Sequence, residues 1–149
     1  MLLLIKMISV VGEYFPYALI LVSLFILSPF YVLVGVAINS FVIYVLKKII
    51  KQKRPIPSLH SDYGMPSGHS QTATFLTTLI FFQNFRFFVI SFFLCFVTFW
   101  QRIHYQHHYV SQVAVGSLLG ILIALSYRQM AIKFNQSKTS IIFRNFQMS

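Results

Sequence analysis

The sequence predicts an all-α integral membrane protein, a single helical bundle of about five transmembrane helices. Two observations carry that prediction. Hydrophobic residues make up 57% of the chain, with 17 Phe and 8 Tyr, against two acidic residues, Glu13 and Asp62; no soluble fold covers so much apolar surface. Apolar runs approaching the ~20 residues that cross a bilayer recur along the chain, and in hydrocarbon such runs satisfy their backbone groups as helices.

The opening "MLLLIKMISVV" holds a lysine inside its apolar run and is followed by no small-residue cleavage site. It reads as a short interfacial or partly inserted segment rather than a cleaved signal. Helices are then expected over residues 14–28, 30–50, 67–83, 86–103 and 108–128. Pro29 parts the first two and "QNFR" the third and fourth, so each neighbouring pair forms an antiparallel hairpin. The one long polar connection, residues 51–66, carries three of the five prolines together with Asp62; a loop of that length in a compact domain is usually functional. Residues 131–149 form a basic polar tail, expected to fray. The whole of 1–149 is read as one domain, with its chemistry between positions 47 and 112.

A net charge of +10 would suggest nucleic acid in a soluble protein. Here the aromatic-rich apolar segments and the lack of an exposed basic domain argue against it, and anionic lipid or phosphate is the better partner. The single cysteine, Cys95, lies in "SFFLCFVTFW", so it offers no disulfide within the chain and reads as a buried thiol.

Alternating helix direction puts the end of the second helix, the start of the third, the end of the fourth and the start of the fifth on one side of the membrane. On that active face fall Lys47 and Arg54, then Ser67, Gly68 and His69, then Arg102 and His108. Lys47 and Arg54 are seven apart, two helical turns, so they point the same way if the helix continues until Pro55 stops it. Taken alone, snorkelling by interfacial Lys and Arg explains this pair better, and it also covers Lys48, Lys51 and Lys53.

"PSGHS" opens the third helix: Pro66 sets the turn, Ser67 can cap, and Gly68 lets the backbone approach a ligand. Backbone N–H groups and the helix dipole then face the active side and suit a phosphate. His69 stands at the edge of this cradle, where an imidazole can protonate a leaving oxygen; a plain helix start with an interfacial His fits the stretch equally well. In "WQRIHYQHHYVSQV", Gln112 follows His108 by one helical turn and can orient it. A neutral, oriented His beside three cations can attack phosphorus. His104 and His107 lack that placement. A metal site among these His is disfavoured, because no carboxylate or Cys accompanies them and the cations compete.

The residues spell three ordered motifs: Lys47 with six residues before Arg54-Pro55, then Pro66-Ser67-Gly68-His69, then Arg102 with five residues before His108. This pattern resembles the type 2 phosphatidic acid phosphatase (PAP2) superfamily, with its signature K-x6-RP, PSGH and SR-x5-H-x3-D. The resemblance implies hydrolysis of a phosphate ester or anhydride without metal or other cofactor. It also implies roles: Lys47, Arg54, Ser67, Gly68 and Arg102 bind the phosphoryl group, His69 is the general acid and His108 the nucleophile.

Two positions depart from the pattern. Gln101 stands where the family has Ser, and Gln112 stands where a family Asp supports the nucleophile. A neutral amide accepts the Nδ1 hydrogen bond but supplies no charge, which implies a slower enzyme, a changed pH profile or an inactive relative. "YGMPSGHSQ" and "HYVSQV", however, are similar to the dolichyl diphosphatase branch, where a Gln at that position accompanies activity on a polyprenyl diphosphate. The branch implies an active face toward the lumen of the endoplasmic reticulum. Arg86, Arg128, Lys133, Lys138 and Arg144 on the opposite side agree with that through the positive-inside rule. The sequon Asn135-Gln136-Ser137 is then cytosolic and unused.

Three alternatives remain at this stage: a phosphatase of phosphatidic acid or another lipid phosphate monoester, a catalytically weak or inactive lipid-phosphate-binding protein, and a haloperoxidase, which the membrane character disfavours. Gly116 and Gly120 form a GxxxG pair that signals close helix packing. His60 and Asp62 in the long connection can gate access or do nothing, and stay outside the catalytic set.

Overall fold

A computed structural model describes residues 2–55 and 63–147. His60 and Asp62 lie outside the described residues. Among the described residues there are five helices: α1 (Leu2–Ile26), α2 (Pro29–Ile50), α3 (Gly68–Phe81), α4 (Phe85–His104) and α5 (Val110–Gln147).

The N-terminal segment and the first predicted span are one helix, not two pieces. α1 runs unbroken for 25 residues through Pro16. A proline removes a single backbone donor, and the apolar residues on both sides keep the rest of the helix favourable in lipid. Pro29 then begins α2 at its first turn, where a proline's missing N–H costs nothing. At the other end Lys51 takes a left-handed conformation (φ 52°) and its N–H bonds to Lys47 O, so α2 stops there. Arg54 therefore lies on the following loop rather than on a continued helix, which corrects the expected two-turn spacing.

Asn84 caps α4, its side chain accepting from Phe87 N at 3.2 Å. The expected frayed tail is helical instead, since α5 extends to Gln147. No proline or glycine follows Gly120 to interrupt it.

Among the described residues, four helices are long and apolar enough to cross a membrane, over Leu3–Ile26, Pro29–Ile50, Phe85–His104 and Val110–Gln136. The fifth, α3, has 14 residues, about 21 Å at 1.5 Å per residue, and falls short of the ~30 Å hydrocarbon core. It does not need that length, because it packs against all four other helices. Ala73, Phe75, Leu76 and Ile80 on it are fully buried, while Phe25, Phe30, Phe41 and Phe93 of the outer helices are exposed where lipid would lie. Enclosure also lets α3 carry polar side chains: Gln71 Nε2 donates to Asn39 Oδ1 at 3.0 Å and Asn39 Nδ2 to Thr72 Oγ1 at 3.2 Å.

The GxxxG pair makes the α3–α5 contact close. A Cβ on Gly116 would sit 2.6 Å from Ser67 O, and one on Gly120 would strike Thr74 Oγ1 and Gln71 O. The two glycines thus let α5 press against the first turns of α3. Cys95 is buried as expected, its sulfur 3.4 Å from Thr77 Oγ1. On the side opposite the motif residues, the Arg128 guanidinium lies 3.9 Å from the Phe82 ring centre.

Candidate active site

Four helix ends meet on one face: the exit from α2, the start of α3, the end of α4 and the start of α5. The chain itself stitches them together. Ser67 N donates to Gln112 O at 3.1 Å, which ties α3 to α5, and His108 N donates to Arg102 O at 3.1 Å, which ties the α4–α5 link to the end of α4. From α2's side Arg54 Nη1 donates to His107 O at 3.3 Å.

His108 is almost fully buried, in the link between α4 and α5 and outside the four spans. Burial, and then the charges of Arg54, Arg102 and Lys47, push its imidazole down to about 3, with the hydrogen bond it donates to Gln112 opposing them. The ring is held neutral. The same three cations lie near enough to act on the ring of His69. Motif residues from three distant stretches of sequence therefore share one field.

The tautomer of that neutral ring follows from its neighbours. Gln112 Nε2 is 2.9 Å from Lys53 O, which can only accept, and Gln112 Oε1 is 3.2 Å from Tyr109 N, which can only donate. The amide is thereby oriented with its oxygen toward His108, and His108 Nδ1 at 3.0 Å must carry the proton. The other nitrogen agrees. Arg54 Nη1, a donor only, lies 3.3 Å from His108 Nε2, so Nε2 presents its lone pair. A neutral imidazole whose Nε2 carries a lone pair rather than a proton, beside a guanidinium, can attack an electrophile whose oxygens the guanidinium turns to hold.

Around this pair the other motif side chains take their places. Arg102 is buried, with Nη1 3.4 Å from Gln101 Oε1. Gln101, which replaces the Ser of the family pattern, thus serves as an acceptor for the arginine beside it. Ser67 occupies the N-cap of α3 but makes no side-chain cap; its hydroxyl lies 3.0 Å from Ser70 Oγ instead. A Cβ on Gly68 would touch Ile43 only at an ordinary 3.6 Å. Packing against the protein does not require glycine there, whereas open backbone at a helix start is what an anion needs. His69 meets the edge of the Tyr17 ring, 5.5 Å between centres. His104 stacks on Trp100 at 4.7 Å, away from this cluster.

A groove of about 230 Å³ begins at Gly68 and His69 and passes between α1 and α2, lined by Pro16, Tyr17, Ile20, Val36 and Ile43. Its walls are mainly apolar. Sequence reasoning missed this groove, the role of Gln101 and the partners of Gln112 in the long connection. Gly64, before the PSGH motif, offered the one available signal: a glycine with no helix to break.

Comparison with known proteins bears on the whole arrangement. The family model described as the PAP2 superfamily matches residues 28–136. Lipid phosphate phosphatase epsilon 2, chloroplastic, of Arabidopsis thaliana is 32% identical over 62% of this chain and 36% of its own length. The dolichyldiphosphatase of Saccharomyces cerevisiae is 31% identical over 80% of this chain and 62% of its own, and dolichyldiphosphatase 1 of Homo sapiens is 32% identical over 62% and 48%. The chain thus spans between about a third and two thirds of the length of these relatives. Among solved structures, a transmembrane PAP2 type phosphatidylglycerolphosphate phosphatase from Bacillus subtilis superposes with a TM-score of 0.66 at 20% identity, over 87% of this chain and 76% of that one. That likeness concerns the fold.

Proposed function

The chain belongs to the PAP2 superfamily, and from that premise we propose that it is a membrane lipid phosphatase that hydrolyses a polyprenyl, dolichyl-type diphosphate to the monophosphate. The observation that carries this reading is the tautomer of His108: Gln112 holds Nδ1 while Nε2 faces Arg54. That is the state a nucleophilic imidazole must hold.

In the proposed reaction the terminal phosphoryl group lies against Lys47, Arg54, Arg102 and the backbone of Ser67 and Gly68. His108 Nε2 attacks its phosphorus as the bond to the bridging oxygen breaks. Burial, then Arg102, His107, Arg54 and Lys47, push the His69 ring down to about 3; the negative charge of the bound diphosphate offsets those cations, and the imidazolium gives its proton to the departing lipid monophosphate while the cations meet the charge spread over the equatorial oxygens. Water then attacks the phosphohistidine, yielding its proton to His69; the P–N bond breaks and inorganic phosphate leaves. The roles call for no metal.

For the substrate, two things support a long apolar tail. The groove beside His69 suits a lipid chain entering from the bilayer, and two of the relatives above are dolichyldiphosphatases by name. A second reading, a lipid phosphate monoester, is favoured by the Arabidopsis relative. The active face is proposed to point away from the cytosol, as the positive-inside rule supports; glycosylation at Asn135 would reverse that orientation.

The test gives the purified protein in detergent, with EDTA, polyprenyl diphosphate and phosphatidic acid in parallel. Phosphate release from the diphosphate, lost in His108→Ala, is the expected result. Release from the monoester alone transfers the proposal to the second reading. Silence on both leaves the binding-protein reading.

A further inference from the structure

We propose that Gln52 is a positioning residue that keeps the Gln112 amide from turning over, and so keeps the nucleophilic lone pair on His108 Nε2. The inference rests on the reading of His108 as nucleophile.

The need for such a device follows from having an amide at position 112. A carboxylate is symmetric: either oxygen accepts from Nδ1–H, and rotation changes nothing. An amide has a donor end and an acceptor end. If the Gln112 side chain rotated by half a turn, its NH₂ would face His108, Nδ1 would have to accept, and the proton would move to Nε2. The lone pair that attacks phosphorus would be gone. A chain with Gln at 112 therefore has a failure mode that an Asp at the same position lacks.

Three contacts oppose that rotation. Tyr109 N–H donates to Oε1 and Lys53 O accepts from Nε2, at 3.2 and 2.9 Å. Gln52 Oε1 accepts the second Nε2 hydrogen at 3.1 Å. Gly64 leaves the room the amide needs: a Cβ there would stand 2.6 Å from both Nε2 and Oε1 of Gln112. Gly64 is held in turn by Gln52, whose backbone carbonyl accepts from Gly64 N at 2.7 Å. The two described ends of the long polar connection thus meet around one amide.

Gln52 is the contact whose sign can be reversed by substitution. In the wild type Gln52 presents Oε1 to Nε2, and so reinforces the orientation that Lys53 O and Tyr109 N–H favour. Gln52→Glu offers acceptors only and reinforces the productive orientation. Gln52→Lys offers donors only and favours the turned amide, while Gln52→Met offers neither. Simple electrostatics predicts the opposite order, because an added cation strengthens binding of a phosphate and an added carboxylate weakens it.

The experiment uses the full chain in detergent with histidine ¹⁵N labelling, the His108 ring assigned by its loss in His108→Asn. Wild-type His108 is expected in the Nδ1–H form. Gln52→Met mixes the two tautomers and lowers kcat roughly tenfold at little change in KM, as loss of one hydrogen bond implies. Gln52→Lys lowers kcat further, and Gln52→Glu recovers most of the loss. An Nε2–H wild-type ring overturns the proposal, as does an unchanged tautomer ratio in both Gln52→Met and Gln52→Lys. If no lipid phosphate is hydrolysed but the tautomer order holds, the catalytic reading fails and the positioning role stands.

Discussion

Arg54 Nη1 and His108 Nε2 lie 3.3 Å apart although 54 positions separate them in sequence. The contact joins the loop leaving α2 to the link entering α5, and it places a fixed positive charge beside the nitrogen that would attack. It also ties together two roles, since the same Nη1 reaches His107 O.

Arg54→Lys keeps the charge but loses the planar fork that bridges these two groups. It is expected to lower kcat/KM by roughly 10²-fold, with Arg54→Ala lower still. Initial rates of phosphate release check the order; equal rates for wild type and Arg54→Lys would show that charge alone suffices.

Acid should destabilise the protein partly through His108. Its folded-state value is lowered from 6.5 to about 3, so between those limits the unfolded chain takes up a proton that the folded one refuses. The stability it contributes is present above pH 6.5 and is lost as pH falls toward 3. Thermal unfolding in detergent from pH 7 to pH 4 should show a falling midpoint, and His108→Asn should flatten part of that fall.

Gln112→Glu restores the carboxylate of the family pattern yet is expected to impair this chain. One carboxylate oxygen would face Lys53 O, an acceptor with no proton to give. Leaving that pair unsatisfied costs about 1–3 kcal/mol. A lower unfolding midpoint and a slower enzyme are the expected outcome, and a gain in kcat would contradict it.

Gly116→Ala and Gly120→Ala should both destabilise, by roughly 1–3 kcal/mol, because α3 cannot back away from α5 without losing its packing. They should differ in activity. A methyl at Gly116 presses on Ser67, at the start of α3, and should raise KM; one at Gly120 presses on Thr74 and Gln71 O, deeper in the bundle, and should act mainly on stability. Unfolding midpoints and Michaelis kinetics of both variants separate the effects.

Local chemistry made much of this legible from sequence. Hydrophobic run length and proline placement announce helices at α2, α3 and α4 to within a few residues, since both act on neighbouring backbone. The positions Lys47, Arg54, His69, Arg102 and His108 could be assigned to one face because helix direction alternates. The errors have equally local causes. The opening run, with Lys6 inside it, reads as a segment apart from the first span, yet in lipid its apolar residues continue the helix. The span 30–50 matches the end of α2 at Ile50, but Lys47 and Arg54 do not share a helix face, because the left-handed turn at Lys51 comes before Pro55. The contacts of Gln112 with Gln52, Lys53 and Gly64 leave no periodic trace at all. They pair residues far apart in the chain, and a lone Gln or Gly advertises nothing until the fold brings them together.

The enclosure of α3 has a consequence for how the protein comes to exist. At 14 residues, with Gln71 and several threonines, this helix has little reason to leave water for lipid by itself. Its most extensive partner is α5, which a ribosome makes only after α3 and α4. The segment bearing Ser67, Gly68 and His69 must therefore wait, incompletely housed, until later-made chain arrives to receive it. By this packing, α3 is fully housed only once α5 has been made.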